Sequence, residues 1–488
     1  MINKIKFIGP LLLSIGIHAC SSQEQGEIKN IEVSVPENWA KTGSRKISLP
    51  IKVYKSSNTN SKAAIFWLSG GPGQSNLDYK PPASLLSNHD VVLVGFRGVD
   101  GSITLECPEV EQALKGVDGN LFSKTSILSF QGAVASCALR LQNEGVDLDG
   151  YTIEQVIRDL EYVRQELGYQ KINLLSASYG TRVALLYAQN FPSQIDKSVL
   201  IGANSPGRFI WEPTIINQQI KQLSLLCSND PHCSTRTNSL ENTFSTAFEN
   251  MPNHWLFFPI DEGKAKVTAF ALLYHTTTAA MTVDALISAQ EGDYSGIALM
   301  SNVYDFILPN MMVWGDFFSK GFIDYDSSRN YYHDFESKGF GSPLSSLVMD
   351  AGKYWPTEKP SNNYLHLIET DVNTLILSGS LDFSTPAQNA TLEIIPFLKN
   401  GTQIIFKEKG HVADLLYDSM IISGMTHYFE GSGINFNKQT VPFNFESRGV
   451  FALTAKGISL FLIAISALII FLFYKMIKRH FYNTATTK

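Results

Sequence analysis

Three residues at the ends of apolar runs, Ser178, Asp382 and His411, are of the types needed to attack a carbonyl carbon. A serine hydroxyl is a poor nucleophile at neutral pH. It needs an imidazole to take its proton and return it to the leaving group, and the imidazole needs a carboxylate to hold its tautomer and stabilise the imidazolium. Taken singly, each has an ordinary reading: a loop histidine is polar surface, and an aspartate before a turn is a cap. Context raises all three. Ser178 lies in KINLLSASYG, where Ile172, Leu174 and Leu175 read as the end of a buried strand. The following TRVALLYAQN has Val183, Leu186 and Tyr187 on neighbouring faces of a packed helix. Ser176 and Gly180 flank Ser178 two residues to either side, the G-x-S-x-G pattern of a strained strand-to-helix turn with serine for the first glycine.

The elements that must position these residues alternate. Ala63 to Leu68, AAIFWL, is a continuous apolar run and so a buried strand, and it delivers Ser69, Gly70, Gly71, Pro72 and Gly73 into a loop. Adjacent Gly70 and Gly71 would let backbone amides approach a developing oxyanion, although Gly-Gly-Pro-Gly is equally good turn chemistry. Val91 to Val94 is the next strand and ends in GFRGVDGS. Thr152 and Gln155 form a capping-box pattern before a helix whose buried face is Val156, Leu160, Val163 and Leu167, with Gly168 as the stop. Val199 to Gly202 reads as a further strand. VNTLIL runs into SGSLDFSTP, where Asp382 stands past Gly379 with Thr385 and Pro386 turning the chain behind it; Thr402 to Phe406 is the last strand, followed by Glu408, Lys409, Gly410 and His411. Such alternation predicts an α/β fold with a mostly parallel sheet and its chemistry at the carboxyl ends of the strands. Before it, IEVSV and KISLPIKVYK alternate apolar and polar residues, as an antiparallel pair does. The rhythm changes after Asn204. Residues 205–365 are helical and aromatic, and are expected to form a helical lid inserted between core segments 31–204 and 366–431.

At 488 residues, 44% hydrophobic and 17% charged with a net charge of −6, the chain has no basic surface for nucleic acid. Both ends speak of location. Residues 1–20 carry Lys4 and Lys6, then the apolar run Phe7 to Ile17, then Ala19 and Cys20, the form of an export signal. Cys20 is a candidate for lipidation, with ordinary cleavage or an uncleaved anchor as the alternatives. Gly457 to Tyr474 carries no charge and is long enough to cross a hydrocarbon core of about 30 Å. A transmembrane helix is therefore expected over 451–474, after a polar tether at 432–450. Lys475, Lys478 and Arg479 place the tail 475–488 in the cytoplasm and the catalytic domain on the outer side of a bacterial inner membrane, with membrane lipid as one partner. Four further cysteines, Cys107, Cys137, Cys227 and Cys233, suit an oxidising compartment. Proximity favours Cys227 with Cys233 and Cys107 with Cys137, although four cysteines allow three connectivities. No C-x-x-C pair or histidine partner has zinc-ligand spacing, and no metal or cofactor is implied.

Ser178, Asp382 and His411 follow the Ser, Asp, His chain order of the α/β-hydrolases. SGGPGQS at Ser69, FRGVDGS at Phe96, DLEYVRQELGYQKINLLSASYGTR from Asp159 to Arg182, SGSLDFSTP at Ser378 and KGH at Lys409 carry a closer likeness. Through them the chain resembles, from about Ile31 to Gly431, the proline iminopeptidase and tripeptidyl aminopeptidase branch, serine peptidase family S33. The resemblance implies an α/β-hydrolase fold with a helical lid. It assigns Ser178 as nucleophile, His411 as general base then acid, Asp382 as its orienter, and the amides of Tyr179 and of Gly70 or Gly71 as the oxyanion hole. It also implies a paired Cys107 and Cys137, and a substrate that is a short peptide losing N-terminal residues, proline among them. The departures are Ser69 where the family has histidine, serine at 176, and the longer loop carrying Asp100. Acidic lid residues would bind the substrate amine; Glu212, Asp261 and Glu262 are candidates among which spacing does not select. Two other functions fit the same residues: an esterase of small esters or lipids, and a catalytically silent hydrolase-like domain used for binding.

Overall fold

The computed structural model describes residues 27–59, 61–249, 251–331, 342–436, 441–447 and 449–485. The export signal with Cys20, part of the tether and the end of the tail lie outside the described residues.

Eight strands form one sheet: β1 (Ile28–Pro36), β2 (Lys46–Tyr54), β3 (Lys62–Leu68), β4 (His89–Val94), β5 (Ile172–Ala177), β6 (Ile195–Ile201), β7 (Asn373–Gly379) and β8 (Gly401–Phe406). Their spatial order is β1-β2-β4-β3-β5-β6-β7-β8, antiparallel at β1, β2 and β4 and parallel from β4 onward. Side-chain alternation sorts the central strands between two packed layers. On β3, Ala64, Phe66 and Leu68 join the helices Ile153–Glu166 and Tyr179–Asn190 on one face. Ile65 and Trp67 join Leu85, Leu86, Ile421 and Met425 on the other. Because both faces are covered, β4 and β5 are buried at every position.

One local expectation fails for an identifiable reason. Thr152 does precede the helix Ile153–Glu166, but its side chain makes no capping bond. Gln155 instead turns away to accept the Trp39 amide at 2.8 Å, a tertiary partner that displaces the local capping box. The apolar stretch VTAFALLYHTTTAAMTVDALI is two helices, Glu262–Leu272 and Thr276–Gln290, because His275 adopts an extended backbone and caps the second helix by accepting the Thr277 amide at 3.2 Å.

Between β6 and β7 the chain builds a cap whose helices include Pro213–Asn229, Ser295–Ile307, Trp314–Gly321 and Ser342–Asp350. It also holds a short antiparallel hairpin, His254–Trp255 with Phe258–Pro259, whose turn places Leu256 at φ +53°. Disulfides join Cys107 to Cys137 and Cys227 to Cys233.

The last helix runs Val450–Ala485, and its stretch Val450–Lys478 is long and apolar enough to cross a membrane. Its first turns belong to the cap. Ala452, Ala455 and Ser459 are buried, Lys456 pairs with Asp293 at 2.7 Å, and the Gly449 amide donates to Asp284 at 2.6 Å. The segment before it is less polar in its contacts than its composition suggests. Phe443 and Phe445 are buried with ring centroids 4.6 Å apart, and the Phe443 amide donates to Glu408 at 2.6 Å.

Candidate active site

Ser178 sits between β5 and the helix Tyr179–Asn190 with φ +50° and ψ −124°, a conformation that L residues rarely hold. Its amide donates to Ile201 O at 2.9 Å, which ties the turn to the end of β6. Small neighbours make the turn sterically feasible. A Cβ on Gly180 would lie 2.2 Å from Leu68 O. Ser176, where the elbow pattern has glycine, fits because its hydroxyl donates to Val199 O at 3.1 Å inside the sheet. The turn leaves Ser178 partly exposed amid buried residues.

Asp382 and His411 meet at the exits of β7 and β8. His411 Nδ1 lies 2.8 Å from Asp382 Oδ2. The carboxylate is fully buried and held on both oxygens: Oδ1 accepts the Ser384 and Thr385 amides at 2.9 and 2.8 Å, and Oδ2 accepts the Thr385 hydroxyl at 2.8 Å. Burial opposes its ionisation, but the His411 imidazole and the Thr385 bonds outweigh that and hold the carboxyl below the usual carboxylate range. The His411 amide donates to Tyr274 O at 2.6 Å, and the Tyr274 ring meets the imidazole edge-on at 5.4 Å. Thus the cap steadies the histidine from above while the sheet steadies it from below.

Gly202 joins the serine to this pair. It follows β6, the strand beside the Ser178 strand, and a Cβ there would stand 2.9 Å from His411 Cε1. The imidazole therefore rests over the end of β6 with Nδ1 engaged by Asp382, and Nε2 donates to or accepts from no group among the described residues. Among the described residues Ser178 Oγ makes no hydrogen bond to His411, whose Nδ1 engages Asp382 and Thr385.

The Gly70 loop forms the opposite wall. A Cβ on Gly70 would lie 3.1 Å from Ser178 Cβ. The loop's outer amides are used: Ser69 N donates to Asn76 Oδ1 at 2.7 Å and Gly73 N to Asp316 Oδ2 at 3.0 Å. The amides of Gly70, Gly71 and Tyr179 donate to no group among the described residues, and Tyr179 opens a helix whose first amides have no internal partner. Of these three, Gly70 lies against Ser178 and Tyr179 follows it in the chain, so backbone donors without an internal partner adjoin the serine.

The three acidic candidates for amine binding each have another task. Glu212 pairs with Arg329 at 2.7 Å. Asp261 is buried, caps Lys264 and accepts the Leu121 amide at 2.8 Å; its carboxyl is pushed up by burial. Glu262 pairs with Lys266 one turn on. None bonds to Ser178, Asp382 or His411 among the described residues.

Sequence reasoning missed several contributors. Thr385 was legible only as a turn residue, although an aspartate three positions before a threonine is a pattern that could have marked it. Tyr274 and Trp211 gave no signal; Trp211 Nε1 donates to Ser384 O at 3.1 Å and its ring packs on Phe270 and Tyr274. Among the described residues, no cluster of three or more histidine, cysteine, aspartate or glutamate side chains could hold a metal ion.

Comparison with known proteins agrees with this architecture. The family model described as the alpha/beta hydrolase fold matches residues 63–415. A tripeptidyl aminopeptidase of Streptomyces coelicolor is 28% identical over 206 residues, 38% of this chain and 37% of that protein. A serine protease of Mycobacterium tuberculosis is 41% identical over 51 residues, 10% of each chain. The matched region thus spans little more than a third of the aminopeptidase. Among solved structures, a serine hydrolase of Cycloclasticus zankles covers 83% of this chain and 100% of its own at 14% identity, with a TM-score of 0.38. Sheet order, strained serine turn and family match converge: the chain belongs to the alpha/beta hydrolase fold family.

Proposed function

We propose that this chain is a membrane-anchored, envelope-facing serine hydrolase that releases N-terminal residues, proline or short peptides, through an acyl-enzyme on Ser178. In this reading His411 takes the Ser178 proton through Nε2 as the hydroxyl attacks the scissile carbonyl, and returns it to the leaving amine. Asp382 holds Nδ1–H and stabilises the imidazolium without itself being protonated. The amides of Gly70, Gly71 and Tyr179 receive the negative charge that develops on the carbonyl oxygen; one such donor contributes about 3 kcal/mol to lowering the barrier. Water then attacks the ester with His411 again as base.

The observation that carries the reading is the 2.8 Å contact between His411 and a fully buried Asp382, poised over β6 beside the serine turn. The likeness to a tripeptidyl aminopeptidase favours peptide substrates with a free N-terminus. Residues 205–365 serve as the lid, and the two disulfides with the apolar helix Val450–Lys478 favour an extracytoplasmic domain held at the inner membrane. The full-length protein in detergent, given aminoacyl, prolyl and tripeptidyl amides beside small acyl esters, should turn over the amides with Ser178-dependent kinetics. Ester turnover equal to or better than the amides would favour an esterase instead.

A further inference from the structure

The cap sends one short helix, Trp314–Gly321, beneath the oxyanion loop. Asp316 in its first turn and Lys320 one turn later are both buried and paired with each other. Burial pushes the Asp316 carboxyl up and the Lys320 ammonium down, each partly offset by the other's charge. A buried pair of this kind is no better for stability than apolar residues of the same volume. Its surroundings suggest another use.

Both charges hold backbone of the two glycine-rich strand exits. The Gly73 amide donates to Asp316 Oδ2 at 3.0 Å, and Val313, just before the helix, donates its amide to Gly73 O at 2.8 Å. Lys320 Nζ donates to Arg97 O at 3.1 Å and lies 5.5 Å from the Phe96 ring centroid. The glycines are shaped to this helix. A Cβ on Gly98 would stand 2.6 Å from Asp316 Oδ1, and one on Gly73 would stand 2.8 Å from Val313 O. Gly73 is three residues from Gly70, which lies against Ser178, so the two bonds from the cap fix the outer end of the loop that adjoins the serine.

We propose that Asp316 and Lys320 are positioning residues for hydrolysis: a clamp carried by the cap that fixes the Gly70–Gly73 backbone, so that the oxyanion hole is complete only while the cap is seated. The clamp rests on the hydrolase reading above. Neither side chain touches the reacting atoms; the clamp acts through Gly73.

The test uses the full-length protein in detergent, with kcat and KM on a tripeptidyl amide. Inhibition by a peptidyl trifluoromethyl ketone, which forms an oxyanion, is measured against inhibition by the product peptide, which does not. Asp316→Leu with Lys320→Met removes both charges at similar volume but leaves Gly73 N without an acceptor. This double variant should lose about 30- to 300-fold in kcat and in ketone affinity together, with KM and product affinity within about threefold, in the range expected for an impaired oxyanion donor. Asp316→Asn with Lys320→Met restores an acceptor and should recover most of the loss. If the leucine variant does not fold, Val313→Pro deletes the other bond to Gly73 at a residue whose φ of −79° proline tolerates, and should show the same joint loss. A folded leucine or Val313→Pro variant with unchanged kcat and ketone affinity, or a loss confined to KM, overturns the clamp. Absence of any Ser178-dependent turnover in the wild type would instead overturn the hydrolase reading.

Discussion

In the mechanism proposed above, the acid–base side of the site and its oxyanion side are built from different parts of the chain. Asp382 and His411 leave neighbouring parallel strands, β7 and β8, and Asp382 is satisfied by its own loop through Ser384 and Thr385. The cap adds bonds around this pair, from the His411 amide to Tyr274 O, from Trp211 Nε1 to Ser384 O and from the Thr276 amide to Asp414, but none to the Asp382 carboxylate itself among the described residues. The oxyanion side has less support of its own. Of the Gly70–Gly73 loop, the Ser69 end is held by Asn76 within the core, whereas the Gly73 end is held by Asp316 and Val313 from the cap. Cap displacement would thus free Gly73 of both its bonds, whereas Asp382 would keep its bonds to Ser384, Thr385 and His411.

Substitutions in the acid–base side should have the largest effects. Ser178→Ala or His411→Ala should lower kcat by about 10⁵- to 10⁶-fold with an unfolding midpoint close to wild type, and Asp382→Asn by about 10⁴-fold. Steady-state kinetics with thermal melts check this, and a loss of folding in parallel with activity would break the distinction. Gly202→Ala probes the same side sterically. Its φ of +61° and a Cβ 2.9 Å from His411 Cε1 should displace the imidazole, lowering kcat about 10- to 100-fold while costing about 1–2 kcal/mol of stability.

Stability sharpens the contrast between core and cap. Replacing Cys107 and Cys137 by alanine opens a loop with a separation of 30 residues and should cost about 3.5 kcal/mol by chain entropy. Cys227 and Cys233, separated by 6 within the cap, should cost about 2 kcal/mol. Denaturant midpoints of the two double variants test the order. The smallest effect is a pH dependence. Because the Asp382 carboxyl is held below its unfolded value, its stabilisation is fully present above the unfolded pKa and is lost as pH falls through the folded one. Asp382→Asn should therefore show a shallower loss of stability than wild type below about pH 4; superimposable curves would show that the carboxylate gains nothing from its partners.

The sheet was legible because its central strands are short, buried apolar runs and its first two strands alternate apolar and polar residues. The serine turn was legible for a steric reason: few residues but Ser176 and Gly180 fit against Val199 O and Leu68 O. The cap's contribution was not. Asp316 and Lys320 stand one turn apart in WGDFFSKG, which reads in sequence as a solvated ion pair on an amphipathic helix. Only the fold shows both side chains buried under the glycine loops. Likewise Glu212, Asp261 and Glu262 were indistinguishable as carboxylates until their partners Arg329, Lys264 and Lys266 were seen. The Glu212–Arg329 pair and the burial of Asp316 and Lys320 come from distant parts of the chain and leave no local pattern, whereas the bonds of Asp261 to Lys264 and of Glu262 to Lys266 lie within one helical turn.

The most direct test of an activated Ser178 is labelling of the full-length protein with a fluorophosphonate, followed by peptide mapping of the adduct. The adduct should map to Ser178 and fall to background in both Ser178→Ala and His411→Ala. Labelling that persists in Ser178→Ala, or an unlabelled yet folded wild type, would contradict it.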